Sequence, residues 1–191
     1  ETVYGTHTLS QRDVLLDKCL MCKGNAYMIA DTEIGEKLPT PERRGDPFAA
    51  VKRIEALPPE ERFKFWQQEL SKCIRCNACR DICPACSCEQ CIFDNPAAPV
   101  AGKAFADPVE ESMFHLIRAY HVAGRCVGCG ECARVCPHGV KLGLLNLKFM
   151  KDINTFYGPY QAGSDATTPA PQVTFTQGDV EPSVAGQKGR S

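Results

Sequence analysis

Thirteen of the 191 residues are cysteine, and eight of the thirteen fall into two runs of identical spacing. The first is Cys73-Ile74-Arg75-Cys76-Asn77-Ala78-Cys79-Arg80-Asp81-Ile82-Cys83-Pro84; the second is Cys126-Val127-Gly128-Cys129-Gly130-Glu131-Cys132-Ala133-Arg134-Val135-Cys136-Pro137. Both read C-x2-C-x2-C-x3-C-P, a spacing that suits a [4Fe–4S] cubane. A cubane presents four irons, each needing one thiolate. Two-residue gaps let a tight loop bring three sulfurs to three neighbouring irons. The three-residue gap carries the fourth cysteine into the start of a helix, pointing away from the first cube, so that it ligates the other cluster. This logic assigns Cys73, Cys76, Cys79 and Cys136 to cluster one, and Cys126, Cys129, Cys132 and Cys83 to cluster two. Pro84 and Pro137 turn the chain away after the last ligand. Gly128 and Gly130 let backbone amides approach sulfur. A pair of zinc sites would need only paired C-x2-C hooks and has no use for a four-cysteine run twice.

Five cysteines remain. Cys19-Leu20-Met21-Cys22 and Cys88-Glu89-Gln90-Cys91 are both C-x2-C hooks, together enough for one more centre. A third [4Fe–4S] cluster is the first reading. A structural zinc is the alternative, since paired hooks are also the zinc-ribbon pattern, and free thiols or a disulfide come after it. Cys86 is a spare, or replaces one of the four. Cys79, Cys83 and Cys86 also match the C-x3-C-x2-C of radical-SAM enzymes, but two of them already belong to the first run, and the chain lacks the repeated strand–helix pattern such a barrel needs.

Three helices are expected to position the runs. Pro58-Pro59-Glu60-Glu61-Arg62 opens one that leads into Cys73, with Phe63, Trp66 and Leu70 as its apolar face. Asp107-Pro108 opens the second, with Met113, Leu116, Ile117 and Tyr120 as its apolar side. The third covers Lys141 to Tyr157, with Leu142, Leu145, Phe149, Ile153 and Phe156. A short helix is also expected between Phe48 and Leu57. His115 and His121 are read as satisfied structural histidines, and His138 lies close to cluster one by sequence. Lys72, Arg75, Arg80, Arg125 and Arg134 offset cluster charge, which is about −2 for each oxidised cube with its four thiolates. The expected organisation is an N-terminal extension (1–57) carrying the first hook, a cluster domain (58–157) with an inserted cysteine arm and helix, and an irregular partner-binding tail (158–191).

The formal charge is −1, from 22 basic and 23 acidic residues, which disfavours a nucleic-acid partner. There is no apolar run long enough to span a membrane, and the first residues lack the pattern of a secretory signal. With reduced thiols, this leads to a cytoplasmic expectation.

The two runs resemble the bacterial two-cluster ferredoxin family. The fuller pattern is CIRCNACRDICPACSCEQC, then His115-Leu116-Ile117-Arg118-Ala119-Tyr120-His121, then CVGCGECARVCP. It looks like electron-transfer subunits that accompany formate dehydrogenases, heterodisulfide-reductase-type complexes and tungsten enzymes of strict anaerobes. Size and cysteine pattern most resemble the small iron–sulfur subunit of class II benzoyl-coenzyme A reductases. The resemblance implies an α+β, two-[4Fe–4S] ferredoxin-like core with added helices, three clusters, and a larger redox-active partner (a tungsten-pterin or flavin protein) within a higher heteromer. It implies single-electron relay, with no catalytic residue of the chain's own. A formate dehydrogenase or heterodisulfide-reductase-type host, or a free dicluster ferredoxin with a structural zinc, is the alternative.

Overall fold

The computed structural model describes residues 3–10, 14, 30–36, 46–95 and 107–171. The chain divides into two compact units, Glu1–Pro47 and Phe48–Ser191, and the helices numbered here all belong to the second. They are α1 (Ala49–Glu55), α2 (Pro59–Leu70), α3 (Ala78–Asp81), a 3-10 turn at Ile92–Asp94, α4 (Pro108–Val122), α5 (Glu131–Arg134) and α6 (Leu142–Tyr157). α2 packs on α4, α4 on α6, α3 on α5, α5 on α6, and α1 on α6.

Local chemistry accounts for the helix ends. α2 begins with Pro59 in its first turn, followed by Glu60 and Glu61, whose charge suits the positive end of the helix. Asp107 caps α4: its carboxylate accepts from the backbone N–H of Val109 at 2.7 Å and of Glu110 at 3.2 Å. α6 stops at Gly158, whose φ of 86° lies in the left-handed region. Beyond it the chain folds back. Asn154 Nδ2 donates to the Tyr160 carbonyl, the Tyr160 N–H donates to Asn154 Oδ1, and the Tyr160 hydroxyl donates to the Gly124 carbonyl at 2.9 Å.

The described residues are mostly helices and loops, with a bridge position at Gly5. The division between the compact units falls after Pro47, and α1 packs on α6. Glu55 pairs with Lys148 at 3.0 Å and Lys151 at 2.9 Å. Two expectations need correction, both about which face of a helix is buried. On α2, Leu70 is buried, but Phe63 is 68% exposed. On α4 the expected apolar side is only partly covered: Leu116 and Ile117 are half-buried, and Tyr120 meets Phe149 of α6 with ring centroids 4.7 Å apart. Met113 and Tyr120 are exposed, while Glu111, Phe114, His115, Arg118, Ala119 and Val122 are buried. The helix turns a charged stripe inward because the cysteine loops lie beneath it. Residues 96–106, the first hook (Cys19 and Cys22) and the tail from 172 lie outside the described residues.

Candidate metal centres

The two cysteine runs fold as copies of one backbone path. Arg75 and Asn77 in the first have φ of 51° and 61°; Gly128 and Gly130, at the matching positions of the second, both have 72°. This left-handed turn brings an amide back onto the first cysteine of each run. Arg75 N–H donates to Cys73 Sγ at 3.2 Å, and Gly128 N–H donates to Cys126 Sγ at 3.4 Å. One-turn helices follow in step, α3 carrying Cys79 and α5 carrying Cys132. The match continues past the prolines: Cys86 N–H donates to the Cys83 carbonyl as Gly139 N–H does to that of Cys136. Cys79 and Cys132 are buried in one apolar cluster with Leu70, Val140 and Leu142, so the two loops meet at the core.

The fourth cysteine of each run faces the other loop. Cys73, Cys76, Cys79 and Cys136 line one cavity, together with Arg75, Phe114, His115 and His138. On the other side, Cys83 lies within charge-interaction range of Cys126 and Cys132. Burial pushes the Cys132 thiol up to about 11, and charge on Cys126, Cys79 and Cys83 pushes the same way. Burial raises Cys126 as well, with Cys83 and Cys129 adding to it. Burial raises Cys73 to about 11 and also raises Cys79, to which Cys76 and Cys136 contribute. Buried thiols with raised values are ones that hold their protons until a metal takes their place.

Do these residues fit a cluster? Each loop supplies thiols and amide N–H groups aimed at sulfur. Val140 N–H also donates to Cys136 Sγ at 3.4 Å, and Asn146 Nδ2 donates to Cys132 Sγ at 3.4 Å. Such hydrogen bonds favour anionic sulfur. Among the described residues, no three His, Cys, Asp or Glu side chains converge closely enough to hold a single ion; the cysteines frame cavities rather than meet at a point. The residues present fit a cage.

The arm after Pro84 forms a third arrangement. Cys86, Cys88 and Cys91 line a cavity of about 330 Å³ with Arg80, Arg118, His121 and Arg125. Phe93 anchors the arm, its ring 4.6 Å from that of Phe114 on α4. Burial pushes Cys86 up to about 11, with charge on Cys83 adding and Arg118 opposing. The structure thus places Cys86 with Cys88 and Cys91, beside Cys83.

The cations read from the sequence are engaged elsewhere. Arg80 pairs with Asp81 at 2.9 Å and Asp94 at 2.5 Å, Arg134 with Glu131 at 2.6 Å, and Lys72 with Glu69 at 2.6 Å. Arg125 donates to the His121 carbonyl. Arg75 is buried against Glu111 at 3.1 Å, with its guanidinium 5.1 Å from the centre of the Phe114 ring. A further cation beside the cysteines is Arg118, absent from the cations named from the sequence. It is 3% exposed, donates to the Cys79 carbonyl at 2.6 Å, and makes no ion pair among the described residues. It eases ionisation of Cys79, Cys86, Cys126 and Cys132. A polar residue at a buried-face register between two cysteine runs was the available signal.

His115 corrects another expectation. It is 2% exposed, yet neither ring nitrogen has a hydrogen-bond partner among the described residues. Burial first, and Arg118 second, push its ionisation down to about 4 despite Glu111. His121 is exposed, with its ring 6.3 Å from Phe93.

Residues 69–140 match the family described as 4Fe–4S dicluster domain. This segment is therefore a ferredoxin-like 4Fe–4S dicluster domain. The chain is similar to a protein named F420-dependent formate dehydrogenase subunit beta from Methanocaldococcus jannaschii, 31% identical over 104 residues, 54% of this chain and 26% of that protein. It is also similar to F420-dependent formate dehydrogenase 1 subunit beta from Methanococcus maripaludis, 36% identical over 58 residues, 30% of this chain and 14% of that protein. The chain thus spans about a quarter or less of the length of these relatives. No helix among the described residues is long and apolar enough to cross a membrane.

Proposed function

We propose that this chain is an electron-transfer subunit that passes single electrons through three [4Fe–4S] clusters to or from a larger catalytic partner. The observation that carries this reading is the exchange of cysteines between two like loops: Cys136 lines the cavity of Cys73, Cys76 and Cys79, while Cys83 lies beside Cys126 and Cys132. Interlocked sites of this kind keep two centres close, which relay requires. When bound, the clusters supply one-electron redox chemistry.

The chain's own residues hold the clusters and bias their charge. Cys73, Cys76, Cys79 and Cys136 hold cluster one; Cys126, Cys129, Cys132 and Cys83 hold cluster two. Cys86, Cys88 and Cys91 serve the third centre. Arg118 offsets the negative charge that the bound centres share.

The host is of the formate dehydrogenase type, the reading that similarity to the two beta subunits favours over benzoyl-coenzyme A reductase. The partner is a larger redox-active protein carrying a flavin or a tungsten-pterin, and the setting is the reducing cytoplasm.

The test is anaerobic purification of the chain with whatever accompanies it, followed by iron, zinc, tungsten and flavin determination. About twelve irons per chain, with a co-purifying redox subunit active on formate, is the expected result. About eight irons with one zinc removes the third cluster. A chain that purifies alone is a free dicluster carrier rather than a subunit. Tungsten in a partner that reduces benzoyl-coenzyme A returns the host to the ring reductases.

A further inference from the structure

Of the buried polar groups on α4, Glu111 has Arg75 and Arg118 has the Cys79 carbonyl. His115 has neither nitrogen satisfied among the described residues, although its side chain faces the cavity of Cys73, Cys76, Cys79 and Cys136. A buried polar group left without a partner is costly, so a fold keeps one only where something supplies the missing atom. The ring's position is well defined: it stacks edge-on against Phe114 at 5.0 Å and shares its helix face with Glu111 and Arg118. The other half of the domain shows the equivalent bond already made. There Asn146, buried on the long helix α6, donates its amide N–H to Cys132 Sγ at 3.4 Å.

We propose that His115 donates a ring N–H hydrogen bond to a sulfur of cluster one, a ligand thiolate or a sulfide of the cage, and so raises that cluster's reduction potential. The inference rests on the cluster reading above. It makes His115 a positioning residue that acts on the centre's charge, not one that carries electrons or binds iron. A donor to sulfur stabilises the more negative, reduced state, and hydrogen bonding to sulfur is one of the settings by which proteins tune such clusters.

The experiment uses the anaerobically purified protein with its partner. Iron content comes first: a wild-type chain with fewer than about eight irons overturns the cluster reading itself and is thereby told apart from failure of this inference. Potentiometric titration followed by electron paramagnetic resonance then compares wild type with His115→Phe and His115→Gln. The expected result for His115→Phe is one centre harder to reduce, by about tenfold in its reduced-to-oxidised ratio at fixed potential, which is about 59 mV for one electron. His115→Gln, which keeps an N–H donor, recovers part of the shift. Unchanged potentials in a fully loaded His115→Phe protein overturn the proposal. If that variant does not load, protein labelled with 15N-histidine and carrying His121→Ala and His138→Ala decides the matter, since only His7 and His115 remain. A 15N coupling on a reduced cluster supports the proposal, and its absence overturns it.

Discussion

Arg75 and Gly128 occupy the same place in two like loops, with φ of 51° and 72°, and each donates its backbone N–H to the first cysteine of its own run. Glycine takes this left-handed turn freely, whereas an L-residue such as arginine pays about 1–2 kcal/mol for it. The arginine is kept because its side chain reaches Glu111 at 3.1 Å and the Glu110 carbonyl at 3.0 Å.

Opposite substitutions at the two positions therefore have unequal and unexpected effects. Arg75→Gly relaxes the backbone but strips a buried carboxylate of this partner, and a net loss of about 2 kcal/mol or more is expected. Gly128→Ala costs about 1 kcal/mol, because it strains the turn and its methyl meets Met150 Cε at 3.4 Å. Denaturant midpoints of the loaded variants check both. Recovery of Arg75→Gly by Glu111→Gln is the internal control, and a more stable Arg75→Gly would sink the account.

The exchange of fourth cysteines predicts non-additive iron loss. Cys83→Ser and Cys126→Ser act on one cluster, so the double variant should hold the same iron as either single one, about four irons below wild type. Cys83→Ser with Cys73→Ser strikes both clusters and should lose about eight. If the first pair proves additive and the second does not, each run binds its own four cysteines and the crossing is wrong.

Cys86 is expected to be a ligand of the third centre, not a spare. Cys86→Ser should remove about four irons while the two ferredoxin-like clusters stay spectroscopically intact. Full iron content in that variant would return the role to the two hooks alone.

Arg118→Met keeps the length of the side chain but removes the charge and the bond to the Cys79 carbonyl. Because this guanidinium serves thiols of more than one centre, more than one cluster should become harder to reduce. A shift confined to one cluster would show that Arg118 acts locally.

The tie between α1 and α6 depends on pH in a defined direction. Burial works to raise the Glu55 carboxyl, but hydrogen bonds from Lys151 and Lys148 outweigh it and hold the group below the ordinary carboxylate range. A lowered value in the fold means that stability is present at neutral pH and is lost as pH falls through that range, near 4 and below. Glu55→Gln should cost about 0.5–1 kcal/mol at pH 7 and progressively less as pH falls below the ordinary carboxylate range. Denaturant midpoints of the two proteins across that interval test this; a gap that stays constant would mean charge has no part in it.

Much of the site was legible in the chain because cluster ligation is locally encoded. Spacing of two and three residues fixes which sulfurs share a loop, and the repeat of that spacing brings the two loops into one frame. Helix starts were legible for the same reason: Asp107 and Pro59 act within a single turn. Orientation was not. Periodicity placed Met113 and Tyr120 inward, yet Glu111, His115 and Arg118 are the buried side of α4.

The sequence by itself determined the repeated cysteine spacing, the dicluster character of the segment that carries it and the positions of the long helices. Only the tertiary structure decided that Arg75 meets Glu111 across 36 positions, that Arg118 sits at Cys79, that His115 faces the cavity of Cys73, Cys76, Cys79 and Cys136, and that Cys86 joins Cys88 and Cys91. The physical reason is that a helix normally buries its apolar stripe, but here the surface it covers is made of cysteine loops with polar backbone groups and thiols. Against such a surface, charge pairing and hydrogen bonding outweigh apolar burial, and those interactions depend on residues far away in the chain.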